Sequence, residues 1–185
     1  MSCFNHPLSP REILIAIAVL LARASAVVPI GRRELESRRV SRTIADLHAI
    51  EAATRRFRTD TGCFPVHYAD YDPMFYPAVK NLTVRPPAGS GITTWAGPYL
   101  DSPARTNAWG GLAHLYHSTT QFDLDGDGTP DTEGANSYVV LSGVPSAAAA
   151  RLDLEIDGAV DPRAGRLQNA GIAPGLRTTY FLIAD

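Results

Sequence analysis

The sequence predicts an α+β fold in which a long N-terminal α-helix packs on a small antiparallel β-sheet head. Three observations predict it. No Gly or Pro stands between Gly31 and Gly62, although the chain holds 15 Gly and 14 Pro, nearly all of them beyond residue 60. Val40, Ile44, Leu47, Ile50, Ala53 and Phe57 recur at steps of three and four, which places them on one face of a helix. Short apolar runs bounded by turn formers follow in the back half.

The 185 residues suffice for one ordinary domain, or for a small domain plus an anchor. With 45% hydrophobic and 19% charged residues, the chain is neither disordered by composition nor polytopic in a membrane. Its net charge of -2 makes no case for nucleic acid as a partner. The charge is divided, with +4 over residues 1–100 and -6 over residues 101–185. Two cysteines, Cys3 and Cys63, make neither a disulfide-dense scaffold nor a four-Cys zinc site.

The helix begins at Ser9-Pro10-Arg11-Glu12, which has the form of a capping box with Pro at the first helical position. The pattern predicts one helix from about Ser9 to about Thr59, kinked at Pro29. Within it, Ile13 to Ile30 is a run of 18 residues interrupted by one charge, Arg23. That length is the lower limit for a membrane-spanning helix. A cleaved secretory signal ending near Ala24-Ser25-Ala26 is the other reading of the same run. The helix stops at Asp60-Thr61-Gly62-Cys63-Phe64-Pro65, where Gly takes the C-cap position and Pro follows.

Beyond residue 65 we expect a loop with a short helix near Pro73–Asn81, then strands at Leu112–His117, Ser137–Ser142 and Thr178–Ile183, in a sheet of three or four. A short helix starting in the Ala147–Ala150 stretch ends near Glu155, and an acidic turn follows. Trp95, Tyr99 and Trp109 read as core or turn-packing aromatics.

The sharpest chemical signal runs from Asp123 to Glu133. Asp123, Asp125, Asp127 and Asp131 occupy positions 1, 3, 5 and 9 of a calcium-type loop, and Gly126 sits at position 6. Alternate residues aim hard oxygens at one point, Gly permits the sharp turn, and the Thr129 carbonyl at position 7 is a neutral donor. Position 12 is Gly134, so a full EF-hand is excluded, and Glu133 or Asp131 completes the shell. The expectation is a structural calcium ion; a solvated acidic turn is the plain alternative. No catalytic constellation stands out, since the five histidines form no HExxH pattern and no nucleophile elbow or phosphate loop occurs. The chain does not read as an enzyme.

A hydrophobic helix that continues into an amphipathic one and ends in a polar head resembles the type IV pilins and type II secretion pseudopilins. Glu12 and Pro29 stand 17 residues apart, the spacing of that family's Glu and Pro. Ile44–Ala53, the Phe57–Pro65 helix end, Gly97-Pro98-Tyr99-Leu100 and Asn107-Ala108-Trp109-Gly110 resemble segments of the major pseudopilin. Together these motifs touch residues 8–110. The resemblance divides the chain into a possible leader at 1–7, an anchor and assembly helix at 8–30, its amphipathic continuation at 31–62 and a head at 63–185.

It also implies a function. The chain would be a structural subunit of a pilus-like filament, most closely a pseudopilin of a type II secretion system that helps move folded proteins across the outer membrane. Leu8 would be the first residue after cleavage by prepilin peptidase, with a methylated amine that meets Glu12 of a neighbouring subunit. Pro7 stands where the family carries Gly. The implied partners are further copies of the chain, other pseudopilins and an inner-membrane assembly platform. The implied location is a single pass through the bacterial inner membrane, with the head in the periplasm. A type IV pilus subunit, major or minor, is the near alternative. A membrane-tethered calcium-dependent binding module that never polymerises belongs to another class.

Overall fold

A single helix opens the chain. In the computed structural model, which describes residues 9–65, 81–86, 90–101 and 106–183 (without the side chains of 20–30), α1 spans Pro10–Thr61, 52 residues. The helical backbone continues through Pro29. Its start is the expected capping box: Ser9 N–H donates to Glu12 Oε2 at 2.7 Å and Glu12 N–H to Ser9 Oγ at 3.4 Å. Its end is Gly62, at φ 74°, whose N–H donates to the Arg58 carbonyl at 2.8 Å. A left-handed residue there closes the last turn at no Cβ cost.

The chain forms two compact units, Met1–Arg38 and Arg39–Asp185. The second holds a four-stranded antiparallel sheet and one further helix. In chain order these are β1 (Ala113–Ser118), β2 (Asn136–Pro145), α2 (Ser146–Asp157), β3 (Leu167–Ala173) and β4 (Leu176–Ile183). The sheet order is β1-β2-β4-β3, so β2 and β4 are central. Three of these strands and α2 stand where the sequence predicts them. Strand β3 is the addition: of its seven residues only Leu167 is buried, and Pro174-Gly175 turns it back onto β4. The short helix expected near Pro73–Asn81 lies outside the described residues up to Lys80, as does the leader at 1–7 with Leu8.

The core forms on one face of the sheet. Val40, Leu47, Ile50, Ala53 and Phe57 of α1 pack with Leu115, Val139, Leu141, Phe181, Ile183 and the α2 residues Ala148, Ala149 and Leu152. Alternate residues of the same strands, Tyr116, Tyr138, Tyr180 and Leu182, face the other way and cluster around Phe122. This is the period-2 alternation of strands that carry apolar groups on both faces. Trp95, Tyr99 and Trp109 are partly buried against the main core. The Trp95 indole N–H donates to the Asn81 carbonyl at 3.0 Å.

The Asn107–Gly111 turn shows why its residues are what they are. Asn107 Oδ1 accepts the N–H groups of Trp109 and Gly111 at 2.9 and 3.1 Å, and its Nδ2 donates to the Ser142 carbonyl at 2.7 Å. The turn is thereby fastened to the bulge in β2 between Leu141 and Val144. A Cβ on Gly111 would overlap the Ser142 carbonyl oxygen and lie 2.9 Å from Asn107 Nδ2. Backbone cannot yield there as a side-chain tip can. Gly111→Ala is expected to destabilise the protein by roughly 2–4 kcal/mol, read by urea denaturation, and a change under about 0.5 kcal/mol would contradict this packing.

A buried carboxylate in this unit is only weakly satisfied. Asp153, on the inner face of α2, is 1% exposed, and neither carboxylate oxygen has a well-formed hydrogen bond. Burial pushes its carboxyl up to about 6; the Asp157 and Asp161 carboxylates add to the rise, and the Asp161 backbone N–H opposes it. Arg177 of β4 lines the same cavity as Asp153, and no ion pair joins the two. The folded state holds the proton more tightly than the unfolded chain, whose value is near 3.8. This contribution to stability is therefore complete below about pH 4 and is lost as the pH rises through about 6, at a cost of roughly 1–3 kcal/mol. Asp153→Asn is expected to be more stable than the parent by that order at pH about 8 and to lose the advantage near pH 4, in paired denaturation curves.

Candidate functional site

Two places carry the chemistry that the sequence singled out. The first is the N-terminal stretch of α1. Ile13, Leu14, Ile15, Ile17 and Val19 are 45–66% exposed, and every described side chain from Pro10 to Val19 is exposed. A helix apolar on all sides is made to be surrounded by apolar material. Among the described residues no helix is long and apolar enough to cross a membrane. The side chains of 20–30, the second half of the expected span, lie outside that description. Glu12 sits at the exposed end of this stretch, engaged with Ser9. Its expected counterpart Leu8 lies outside the described residues. Further along, Arg38 pairs with Glu34 at 3.0 Å.

The second place is the acidic loop between β1 and β2. Its neck is closed by three bonds: Asp131 N–H to the Phe122 carbonyl at 2.8 Å, Phe122 N–H to Thr132 Oγ1 at 2.8 Å, and Gln168 Nε2 to the Asp123 carbonyl at 2.8 Å. Below the neck Phe122 is 1% exposed, with its ring set edge-on to Tyr138 at a centroid distance of 5.8 Å. The loop thus stands on an aromatic plug in the second face of the sheet.

Within the loop the carboxylates divide into two groups. Asp123, Asp125 and Asp131 each offer an oxygen within 4.8 Å of the others. Asp123 spans the turn, taking the Gly126 N–H on Oδ1 at 2.7 Å and the Gly128 N–H on Oδ2 at 2.9 Å. Asp131 Oδ2 accepts from Leu124 and Asp125 N–H at 2.6 and 3.3 Å. Asp127 instead turns to its own backbone, accepting the Thr129 N–H at 2.6 Å. Glu133 is exposed and stands outside the three-carboxylate group. Gly126 at φ 81° and Gly128 at φ 88° take the left-handed turns that this wrapping requires.

Three carboxylates within one coordination radius repel one another. Backbone N–H donors offset part of that, and a hard divalent cation would offset the rest. Asp123, Asp125 and Asp131 are the residues that could hold one. No other such group of three occurs among the described residues. The acidic turn after α2 is built differently, because Asp157 spends its carboxylate on the N–H groups of Arg166 (3.1 Å) and Leu167 (2.8 Å). Sequence reasoning missed Gln168, which ties the loop to β3. Its only signal was an amide side chain in a segment without apolar alternation.

No family model matches the chain, and no curated protein matches it. Among solved structures, it is similar to the major type IV pilin PilA1 from Clostridium difficile, at 13% identity and a TM-score of 0.47, covering 82% of this chain and 98% of that one.

Proposed function

We propose that this protein is a structural subunit of a pilus-like filament, anchored by its N-terminal helix before assembly. The observation that carries the reading is the run of exposed apolar side chains, Ile13 to Val19, on a helix whose C-terminal part is the spine of a folded head. About half of each of these side chains is still in water. Burying the remainder is worth roughly 5 kcal/mol per subunit, enough to favour lipid or a bundle of like helices over solvent. Glu12 fits the same account. A carboxylate carried into an apolar bundle is costly unless it meets a positive group. Its capping bonds with Ser9 serve it in the free chain, and the amine of Leu8 in a neighbouring copy would serve it in a filament.

The finer reading is a pseudopilin of a type II secretion system, supported by the sequence motifs from Glu12 to Gly110. A type IV pilus subunit shares the helix-and-head layout and the Glu12–Pro29 spacing, and is the alternative. In either case prepilin peptidase would cut before Leu8, and the head would lie in the periplasm. The acidic loop then serves as a structural calcium site at Asp123, Asp125 and Asp131, which would brace the β1–β2 connection. What supports this is the gathering of three hard-oxygen donors and the Gly turns that aim them.

Glu12→Lys is expected to abolish sedimentable filaments and leave the melting temperature of the head unchanged within about 1 °C. If filaments persist, the assembly role fails and a tethered module that does not polymerise takes its place. The calcium assignment is tested separately on the purified full-length chain. Chelation is expected to lower stability by roughly 1–3 kcal/mol, a drop of about 3–10 °C in melting temperature. Asp125→Ala is expected to remove that response. Asp125 suits the test better than Asp123, whose two bonds across the turn hold the loop whether or not an ion is present. A melting temperature indifferent to chelation would leave the loop as an acidic turn.

A further inference from the structure

The acidic loop is held from outside itself. Half-buried Gln168 of β3 donates from Nε2 to the Asp123 carbonyl at 2.8 Å and to the Gly165 carbonyl at 3.2 Å. One amide thus joins the loop to the turn that leads into β3. That turn also meets the loop further along. A Cβ on Gly126 would lie 3.2 Å from Ala164 Cβ and 3.8 Å from Asp161 Oδ2. The same stretch holds the outer edge of β3, where the Asn169 N–H donates to the Pro162 carbonyl at 2.8 Å and the Leu167 N–H to Asp157 Oδ2 at 2.8 Å. Loop, turn and edge strand therefore meet along one seam.

Charge works against that seam. Residues 121–136 hold Asp123, Asp125, Asp127, Asp131 and Glu133 and no basic residue. Asp161 adds another carboxylate from the turn: its Oδ1 accepts the Arg163 N–H at 3.0 Å, and its Oδ2 lies toward Gly126. Like charges at short range make closing the two segments costly. A hard divalent cation on Asp123, Asp125 and Asp131 would remove much of that cost on the side of the loop. Asp123 links the two effects. Its carboxylate is one of the three that could hold the ion, and its carbonyl is the acceptor for Gln168. A group that holds a ligand residue from behind fixes where the ligand atom points and so sets metal affinity. We propose that Gln168 is a positioning residue for a calcium ion in the loop, and that the ion in turn fastens loop and turn onto β3. The inference rests on the calcium reading above. The coupling is reciprocal: the factor that Gln168 adds to calcium affinity is the factor that calcium adds to closure of the seam.

The test is calcium titration calorimetry of the purified full-length chain after chelation, with amide hydrogen exchange read in the calcium-loaded and chelated forms. Gln168→Met keeps a long unbranched side chain and removes the donor. It is expected to weaken calcium binding about tenfold, whereas Gln121→Met, at an exposed glutamine beside the neck of the loop, is expected to change it less than about twofold. A role for Gln168 in stability alone would lower the melting temperature without moving the calcium affinity. In the parent chain, chelation is expected to speed exchange at the Leu167 and Asn169 amides about tenfold, and to have little effect there in Gln168→Met. The exchange measurement on the parent needs no variant, so it decides the matter where Gln168→Met does not fold. A parent chain that binds no calcium overturns the calcium reading and this inference with it. A parent chain that binds calcium, with equal affinity in Gln168→Met or with exchange at Leu167 and Asn169 indifferent to chelation, overturns this inference alone.

Discussion

The face of α1 that carries Val40, Leu47, Ile50, Ala53 and Phe57 is the constraint from which the head follows. Each of these side chains is at most 4% exposed, and burial of Leu47, Ile50 and Phe57 alone is worth about 1.5–3 kcal/mol apiece. A four-stranded sheet with short strands does not bury both of its faces unaided. Here the helix covers one face, and Phe122 packs among the strand residues Tyr116, Tyr138, Tyr180 and Leu182 on the other. Glu51 then fixes how the helix meets the sheet. It is only 8% exposed, and its Oε1 accepts from Arg166 Nη2 at 2.6 Å and from Arg55 Nη2 at 3.0 Å. Arg166 also donates to the Leu182 carbonyl at 3.0 Å and lies over the Phe181 ring at 4.9 Å. A buried carboxylate so engaged adds little net stability, but removing one partner strands the other. It restricts the helix to one register against β3 and β4.

The same helix answers to two environments. Between Val40 and Phe57 its apolar residues keep helical spacing and meet a sheet. Between Ile13 and Val19 they surround the axis and meet nothing in the described residues of their own unit. The difference lies in the pattern. A stripe is satisfied by one neighbour, whereas a sleeve needs material on every side. One helix thus carries a part that packs into the folded head and a part whose described apolar side chains stand exposed.

Much of this was legible in the sequence. Both ends of α1 follow from local chemistry, Ser9 and Glu12 at one and Gly62 at the other, and neither depends on the rest of the fold. The central strands were legible because Tyr138-Val139-Val140-Leu141 and Thr179-Tyr180-Phe181-Leu182-Ile183 are apolar on both faces. Strand β3 was not, because an edge strand held by backbone pairing to β4 needs no apolar alternation, and Asn169, Ala170 and Gly171 carry none. The acidic loop was legible in its glycines and in Asp123, Asp125 and Asp131. It was not legible at Asp127, where a local bond to the Thr129 N–H competes with pointing inward. Spacing cannot decide that competition, because both outcomes use the same residue type at the same position.

Asp153 was hidden for a related reason. In Leu152-Asp153-Leu154-Glu155-Ile156-Asp157 the acidic residues look like the wet side of a short helix. The structure instead buries Leu152 and Asp153 together and leaves Leu154 51% exposed. Tertiary packing imposes that choice. Asp157 must reach the N–H groups of Arg166 and Leu167 to start β3, which fixes the rotation of α2 and carries Asp153 inward with Ala149. The cost of one buried carboxylate is tolerated because the same rotation places Ala148, Ala149 and Leu152 in the core.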